Sequence, residues 1–178
     1  IEELKRYKAN SSIIDDMLLY YHGHDQVYSP SGQGSLQVLL NAIYPLQEQE
    51  LNACKDKLNT ASVPVVQAVK NELIVHMYPV SSSYSTVYGT VIFFINKQVL
   101  TDMTENILGE LSGNVYIFND RLEVLTANHN GTSLSSENIH ALAASEPGVG
   151  NKQINHREYS VVTVQSDVSG WTFVTAIP

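Results

Sequence analysis

Apolar residues are densest in NELIVHMYPV, residues 71–80, and in VIFFI, residues 91–95. Both runs are rich in β-branched and aromatic side chains, which suits strands buried on both faces. The second is too short for a helix of its own. Beyond Asn96 the period changes: Val99, Leu100, Met103, Ile107 and Leu108 recur at helical spacing, predicting an amphipathic helix that Gly109 and Gly113 allow to stop. The stretch Val69–Leu108 therefore reads as strand, turn, strand, helix, with the serine-rich link Ser81–Ser85 as the turn.

The same reading extends to both ends. Ile1–Asn10 carries Ile1, Leu4 and Tyr7 at i, i+3 spacing and reads as the tail of a longer helix. Ile13–Tyr21 is strand-like, His22–Asp25 turns around Gly23, and Gln26–Ser29 returns as a second strand. Pro30–Gly34 reads as a loop. Ser35 caps a short helix over Leu36–Ile43, ended by Tyr44–Pro45, and Gln47–Asn59 is a second helix that Pro64 breaks. In the second half, Val115–Phe118 and Leu122–Ala127 are strands around a turn at Asn119–Arg121, followed by a loop at Asn128–Thr132. Ser135 or Ser136 caps a helix, Glu146–Asn151 is a loop, and three strands follow at Lys152–His156, Tyr159–Gln165 and Trp171–Ile177. Turns at His156–Glu158 and Ser166–Gly170 separate them. The order describes two α+β modules, each an antiparallel sheet with helices on its flanks, with a boundary near Gly109–Gly113. The chain starts inside a helical pattern and ends just after a strand, so it reads as a piece of something longer.

Composition narrows the function classes. The chain has 178 residues, 43% hydrophobic and 16% charged, which suits an ordinary folded protein. A formal net charge of −8 lacks the basic footprint of a nucleic-acid binder. No apolar run approaches the length of a membrane span. The single cysteine, Cys54, lies at helical spacing with Leu51 and Leu58 and reads as a small buried hydrophobe. It excludes an internal disulfide and a cysteine-based zinc site.

No constellation carries catalysis. His22-Gly23-His24-Asp25 resembles the start of a metal site, but Gln26-Val27 follows where a further ligand is needed, so it reads as a polar turn. Asp15 and Asp16 point to opposite faces of a strand and cannot act as a pair. Gly148-Val149-Gly150 lacks the third glycine of a dinucleotide fingerprint, and Gly32-Gln33-Gly34 lacks the lysine of a phosphate loop. Asn10-Ser11-Ser12 and Asn130-Gly131-Thr132 match the glycosylation pattern, which matters only in a eukaryotic secretory pathway. No catalytic residue, metal ligand or cofactor is therefore assigned. Tyrosine is over-used, at ten residues. Tyr20, Tyr21, Tyr28, Tyr78, Tyr84 and Tyr88 sit in or beside the strands of the first module, where flat faces and hydroxyls suit a small-ligand pocket. Trp171 reads as core of the second module.

Four strings carry a family resemblance: IIDDMLLYYHGHDQVYSPSG, GTVIFFINKQVL, NVYIFNDRLEVLTA and the terminal SGWTFVTAIP. Together they make the chain resemble an extracellular double Cache sensor, the tandem PAS-like domain of bacterial membrane receptors. The opening and closing segments look most like sensors of Firmicutes receptors whose cytoplasmic half is a histidine kinase or an AraC-type regulator. The resemblance implies the end of a long N-terminal helix over residues 1–10, a membrane-distal module over 11–110 and a smaller membrane-proximal module over 111–178. It also implies placement outside the cell membrane, a membrane-anchored parent protein, a small-molecule ligand, no enzymatic activity, and a homodimer contact through the N-terminal helix. In amine-binding relatives an Asp closes the strand before the helix. Asn96 stands there in this chain, and it cannot neutralise a cation, so a neutral polar ligand such as a sugar is expected. The expected ligand-binding residues are Tyr28, His76, Tyr78, Tyr88 and Asn96, with His76 and Tyr78 sharing one strand face by alternation. A metal-dependent hydrolase built on His22–Asp25, a cytoplasmic PAS-type module holding haem or flavin, and a free-standing solute-binding protein are the competing readings.

Overall fold

The computed structural model describes residues 1–43, 45, 47–69, 73–81, 86–167 and 169–178. Tyr44, Tyr84, most of the serine-rich link and part of the Ser166–Gly170 turn lie outside them. The chain forms two compact units, Ile1–Asn96 and Lys97–Pro178.

The first unit opens with α1 (Glu2–Ala9), which has glutamates in its first turn and basic residues in its last, as the helix dipole favours. It packs on β1 (Ile14–Tyr21) and buries Leu4. Then follow β2 (Gln26–Ser29), β3 (Gly32–Ser35), α2 (Leu36–Ile43), α3 (Glu48–Thr60), β4 (Val65–Val69), β5 (Leu73–Ser81) and β6 (Val87–Asn96). All pair antiparallel in one sheet of order β3-β2-β1-β6-β5-β4. At the start of α3 the Glu50 carboxylate accepts the Gln47 backbone N–H at 2.9 Å, one half of a capping box.

The core of this unit lies between one sheet face and α2 and α3. Leu18, Tyr20, Val27, Met77, Ile92 and Phe94 supply the sheet side; Leu36, Leu40, Leu51 and Leu58 supply the helices. Cys54 packs against this core, as its spacing predicts.

The second unit contains α4 (Lys97–Leu108), β7 (Gly113–Phe118), β8 (Val124–Asn130), α5 (Ser136–Ala143), β9 (Gly148–Ile154), β10 (Arg157–Gln165) and β11 (Thr172–Ile177). Its sheet order is β8-β7-β11-β10-β9. Ser135 caps α5, its hydroxyl accepting the Asn138 N–H. A core of Tyr116, Phe118, Leu142, Tyr159, Val161 and Val174 fills one sheet face, while α4 packs on β7 and β8. Thr101 on α4 and Thr126 on β8 share a hydrogen bond of 2.7 Å. Trp171 is buried here, as expected. Among the described residues, no helix is long and apolar enough to cross a membrane.

Several sequence expectations need correction. Residues 30–34 are not a loop throughout: Gly32–Ser35 is the edge strand β3, paired with β2. Its glycines supply backbone hydrogen bonds without a side-chain signature. Strand β4 is an element the sequence reading does not contain: its five residues pair with β5 after Pro64. The loop assigned to 146–151 contains the start of β9 at Gly148. That strand ends at Ile154, and Asn155 and His156 form the turn with positive φ angles of 50° and 63°. Leu122 also has a positive φ and belongs to a turn. The Asn119 side chain holds this turn by accepting the N–H groups of Arg121 and Glu123, each at 2.9 Å, an Asx-type arrangement. Strand β8 consequently starts later than expected and runs through Asn130. Finally, the β5–β6 hairpin is not buried uniformly on both faces. Ile92 and Phe94 are buried, whereas Val91 and Phe93 on the reverse face are half-buried and Tyr78 is 48% exposed.

Candidate functional site

The first sheet offers two surfaces, set by strand alternation. The face carrying Leu18, Ile92 and Met77 is filled by α2 and α3. The reverse face divides along its length. At one end Met17, Ile74, Ile95 and Val66 are buried. Toward the other end the residues become aromatic and open. One cross-strand row runs Tyr28, Leu19, Val91, Tyr78, each paired with the next. Three inter-strand steps separate Tyr28 from Tyr78, about 14 Å. Leu19 and Val91 form a half-buried floor between them.

Tyr21, two residues beyond Leu19, joins this surface. Its ring meets Tyr28 edge-on with centroids 5.9 Å apart and stacks on Tyr88 at 6.3 Å and 20°. Tyr88 reaches Tyr21 because the ladder is irregular there. Gly89 pairs with Val80 and Val87 with Ser81, which leaves Tyr88 as the extra residue of a bulge. Gly89 itself passes close to β1, since a Cβ there would lie 2.7 Å from the Tyr20 carbonyl oxygen. On the neighbouring row, the His76 ring stands edge-on to Tyr78 at 6.2 Å and tilted to Phe93 at 5.9 Å.

Four of the five expected residues thus share a surface. His76 and Tyr78 lie together, as alternation predicts, and Tyr28 and Tyr88 gather around Tyr21. Asn96 does not join them. It closes β6 immediately before α4, as read from the sequence, but pairs with Leu73 at the far end of the hairpin. It falls on the same face as Phe94, which is the face toward the helices. Tyr21 is not among the expected ligand residues, yet its ring touches both Tyr28 and Tyr88. Its two-residue spacing from Leu19, opposite Tyr28, is the signal that would have added it.

The turn between β1 and β2 is pinned from several sides. His22 Nε2 lies 3.0 Å from Thr90 Oγ1, and Thr90 donates to the Leu58 carbonyl at 3.3 Å. Asn59 Oδ1 accepts both the Tyr20 hydroxyl at 2.9 Å and the Gly23 N–H at 3.0 Å. The Lys55 ammonium pairs with Asp25 at 2.8 Å. His22 and Asp25 are therefore engaged with different elements and do not converge on one point. Burial lowers the His22 pKa, favouring its neutral form. Asp15 is exposed, and the shift in register between Ile14 and Asp16 leaves it without a ladder partner. Asp16 accepts the Met17 N–H and pairs with Lys8 at 3.5 Å.

Stacked tyrosines present flat apolar faces beside hydroxyl groups. Such a surface can hold the C–H faces of a small polar molecule and hydrogen-bond its edges.

No protein-family model matches the sequence, and no curated protein matches it. Solved structures do match. An extracellular ligand binding receptor from Desulfohalobium retbaense DSM5692 superposes with a TM-score of 0.60 at 10% identity, covering 98% of this chain and 32% of that one. This chain therefore spans about a third of that receptor domain's length. The extracellular domain of rpHK1S-Z16, assigned as a histidine kinase, gives a TM-score of 0.59 at 10% identity over 99% of this chain and 75% of that one. The ligand-binding domain of the Pseudomonas aeruginosa PAO1 amino acid chemoreceptor PctC, in complex with GABA, gives 0.52 at 11% identity over 100% and 88%. The fold of this chain, two antiparallel sheets with flanking helices, is that of extracellular Cache-like sensor domains.

Proposed function

We propose that this chain is the extracellular ligand-sensing part of a bacterial membrane receptor, and that it binds a small neutral polar molecule, such as a sugar, on the tyrosine surface of its first unit. The observation that carries the reading is the Tyr21–Tyr28–Tyr88 cluster, with Tyr78 on the same face. A sheet face exposing that many aromatic rings is costly to leave in water and suits a flat polar partner. The similarity in fold to sensor domains of a histidine kinase and a chemoreceptor supports the same reading.

In this proposal residues 11–110 are the membrane-distal module of a double Cache sensor, residues 111–178 are the membrane-proximal one, and residues 1–10 end a long N-terminal helix. The parent receptor is anchored in the membrane and carries a histidine kinase or AraC-type output, as the resemblance to Firmicutes sensors implies. The domain dimerises through its N-terminal helix α1. It performs no chemistry on its ligand.

The test is a thermal-shift screen with mono- and oligosaccharides, amino acids and organic acids. A saccharide at 100 times its dissociation constant should stabilise the protein by about 2.7 kcal/mol. Tyr28→Ala and Tyr78→Ala should abolish that shift. A shift produced by a ligand and kept by both variants would move the site elsewhere.

A further inference from the structure

The second unit has a cleft that the tyrosine surface does not involve. It lies along β9 and the loop that precedes it, has a volume of about 270 Å³, and opens to solvent. Its origin is in the sequence. Tyr159, Val161 and Thr163 on β10 point into the core, and their partners on β9 are Lys152, Gly150 and Gly148. Two of these three inward positions have no side chain. The space they leave becomes the cleft, floored by Val161 and Thr163 and walled by Ser145, Glu146 and Pro147.

A Cβ added at Gly150 would meet nothing within 4 Å, so the gap is not a packing necessity. Elsewhere in this chain glycines are needed for close approach: at Gly113 a Cβ would lie 2.9 Å from the Ala176 carbonyl oxygen. Lys152 provides the cleft's positive charge. Its ammonium donates to the Ser145 hydroxyl across the cleft, and among the described residues no carboxylate pairs with it. A half-buried ammonium beside an apolar floor favours an anion that brings its own short apolar chain. Glu146, exposed at the rim, disfavours a second negative charge.

We infer that this cleft is a second binding site, specific for a small aliphatic monocarboxylate, with the carboxylate on Lys152 and Ser145 and the chain over Val161 in the space left by Gly150. The two glycines set its size, and Lys152 sets its sign.

The test is a titration of the whole chain with acetate, propionate, butyrate and succinate at constant ionic strength, read by calorimetry and by melting temperature. Butyrate or propionate should bind more tightly than acetate or succinate. Lys152→Met should weaken binding by about tenfold or more. Gly150→Val should abolish it by filling the cleft, with no fall in the melting temperature of the free protein. Tyr78→Ala should leave carboxylate binding unchanged, which separates this site from the proposed saccharide surface. The inference is overturned if none of the four acids binds, or if binding survives both Gly150→Val and Lys152→Met. Should Gly150→Val fail to fold, Lys152→Met alone decides.

Discussion

Replacing Gly89 by alanine tests the strand registry that positions the tyrosines. Its Cβ would sit 2.7 Å from the Tyr20 carbonyl oxygen and 3.7 Å from the Tyr21 Cα, both backbone atoms of the neighbouring strand. An ordinary carbon-to-oxygen contact is about 3.3 Å, so β1 and β6 must separate by roughly 0.5 Å at this rung. The neighbouring pair Tyr20–Thr90 and the His22 N–H to Tyr88 carbonyl bond of 3.0 Å lie in the strained region. Overpacking of this kind costs about 1–3 kcal/mol. Loss of unfolded-state freedom on replacing glycine offsets about 0.4–1 kcal/mol. The net expectation is a destabilisation of about 1–2 kcal/mol, or a fall of about 2–8 °C in melting temperature for a chain of this size. Gly150→Ala is the control: with nothing within 4 Å of its Cβ, it should be neutral or slightly stabilising. Urea denaturation followed by circular dichroism measures both. If Gly89→Ala is as stable as Gly150→Ala, the close approach of β1 and β6 is wrong, and with it the placement of Tyr21 and Tyr88.

Other expectations follow from the same structure. Leu18 is fully buried between the first sheet and its helices, so Leu18→Ala should cost about 3–5 kcal/mol in denaturant melts, and a cost near 1 kcal/mol would mean the core is loosely packed. Asn119→Ala removes the acceptor for two backbone N–H groups at 2.9 Å and should destabilise by about 1–2 kcal/mol. The His22 pKa is lowered in the folded state from an ordinary value of 6.5. The unfolded chain then binds the proton more readily, so stability should fall as pH drops below 6.5 toward the folded-state value. His22→Gln should flatten that part of the profile, and an unchanged difference between pH 7 and pH 5 would contradict the assignment. Burial also raises the Cys54 thiol pKa. Its reaction with a disulfide reagent should be about tenfold or more slower in the native protein than in denaturant.

Much of the fold was legible because its central pieces carry strong periods. The runs around Ile74 and Ile92 are too apolar and β-branched to be anything but strands, and the change of period after Asn96 marks α4. What escaped was built from residues without a side-chain signal. Strands β3 and β9 contain glycines whose pairing is entirely main-chain, so Gly32–Ser35 and Gly148–Asn151 look like loops. The turn at Asn155–His156 relies on positive φ in two non-glycine residues, which composition does not announce. At the candidate site, alternation was enough to put His76 beside Tyr78. It was not enough for Tyr88, which simple alternation would align with Thr90 and Ile92. Only the bulge opposite Val80 and Ser81 carries its ring onto Tyr21, and a bulge depends on the partner strand. Asn96 differs for the complementary reason: its place at the end of β6 is readable from the sequence, whereas the face it shares with Phe94 follows from the pairing with Leu73.

The central claim is that a polar small molecule is held on the open tyrosine face of the first sheet. Its most direct test is nuclear magnetic resonance of the chain with ring-labelled tyrosine, titrated with saccharides from the thermal-shift panel. Saturable shifts at Tyr21, Tyr28, Tyr78 and Tyr88, with Tyr20 and Tyr116 on the buried faces unmoved, are the predicted result. Saturable binding that leaves all four of those resonances in place would contradict it.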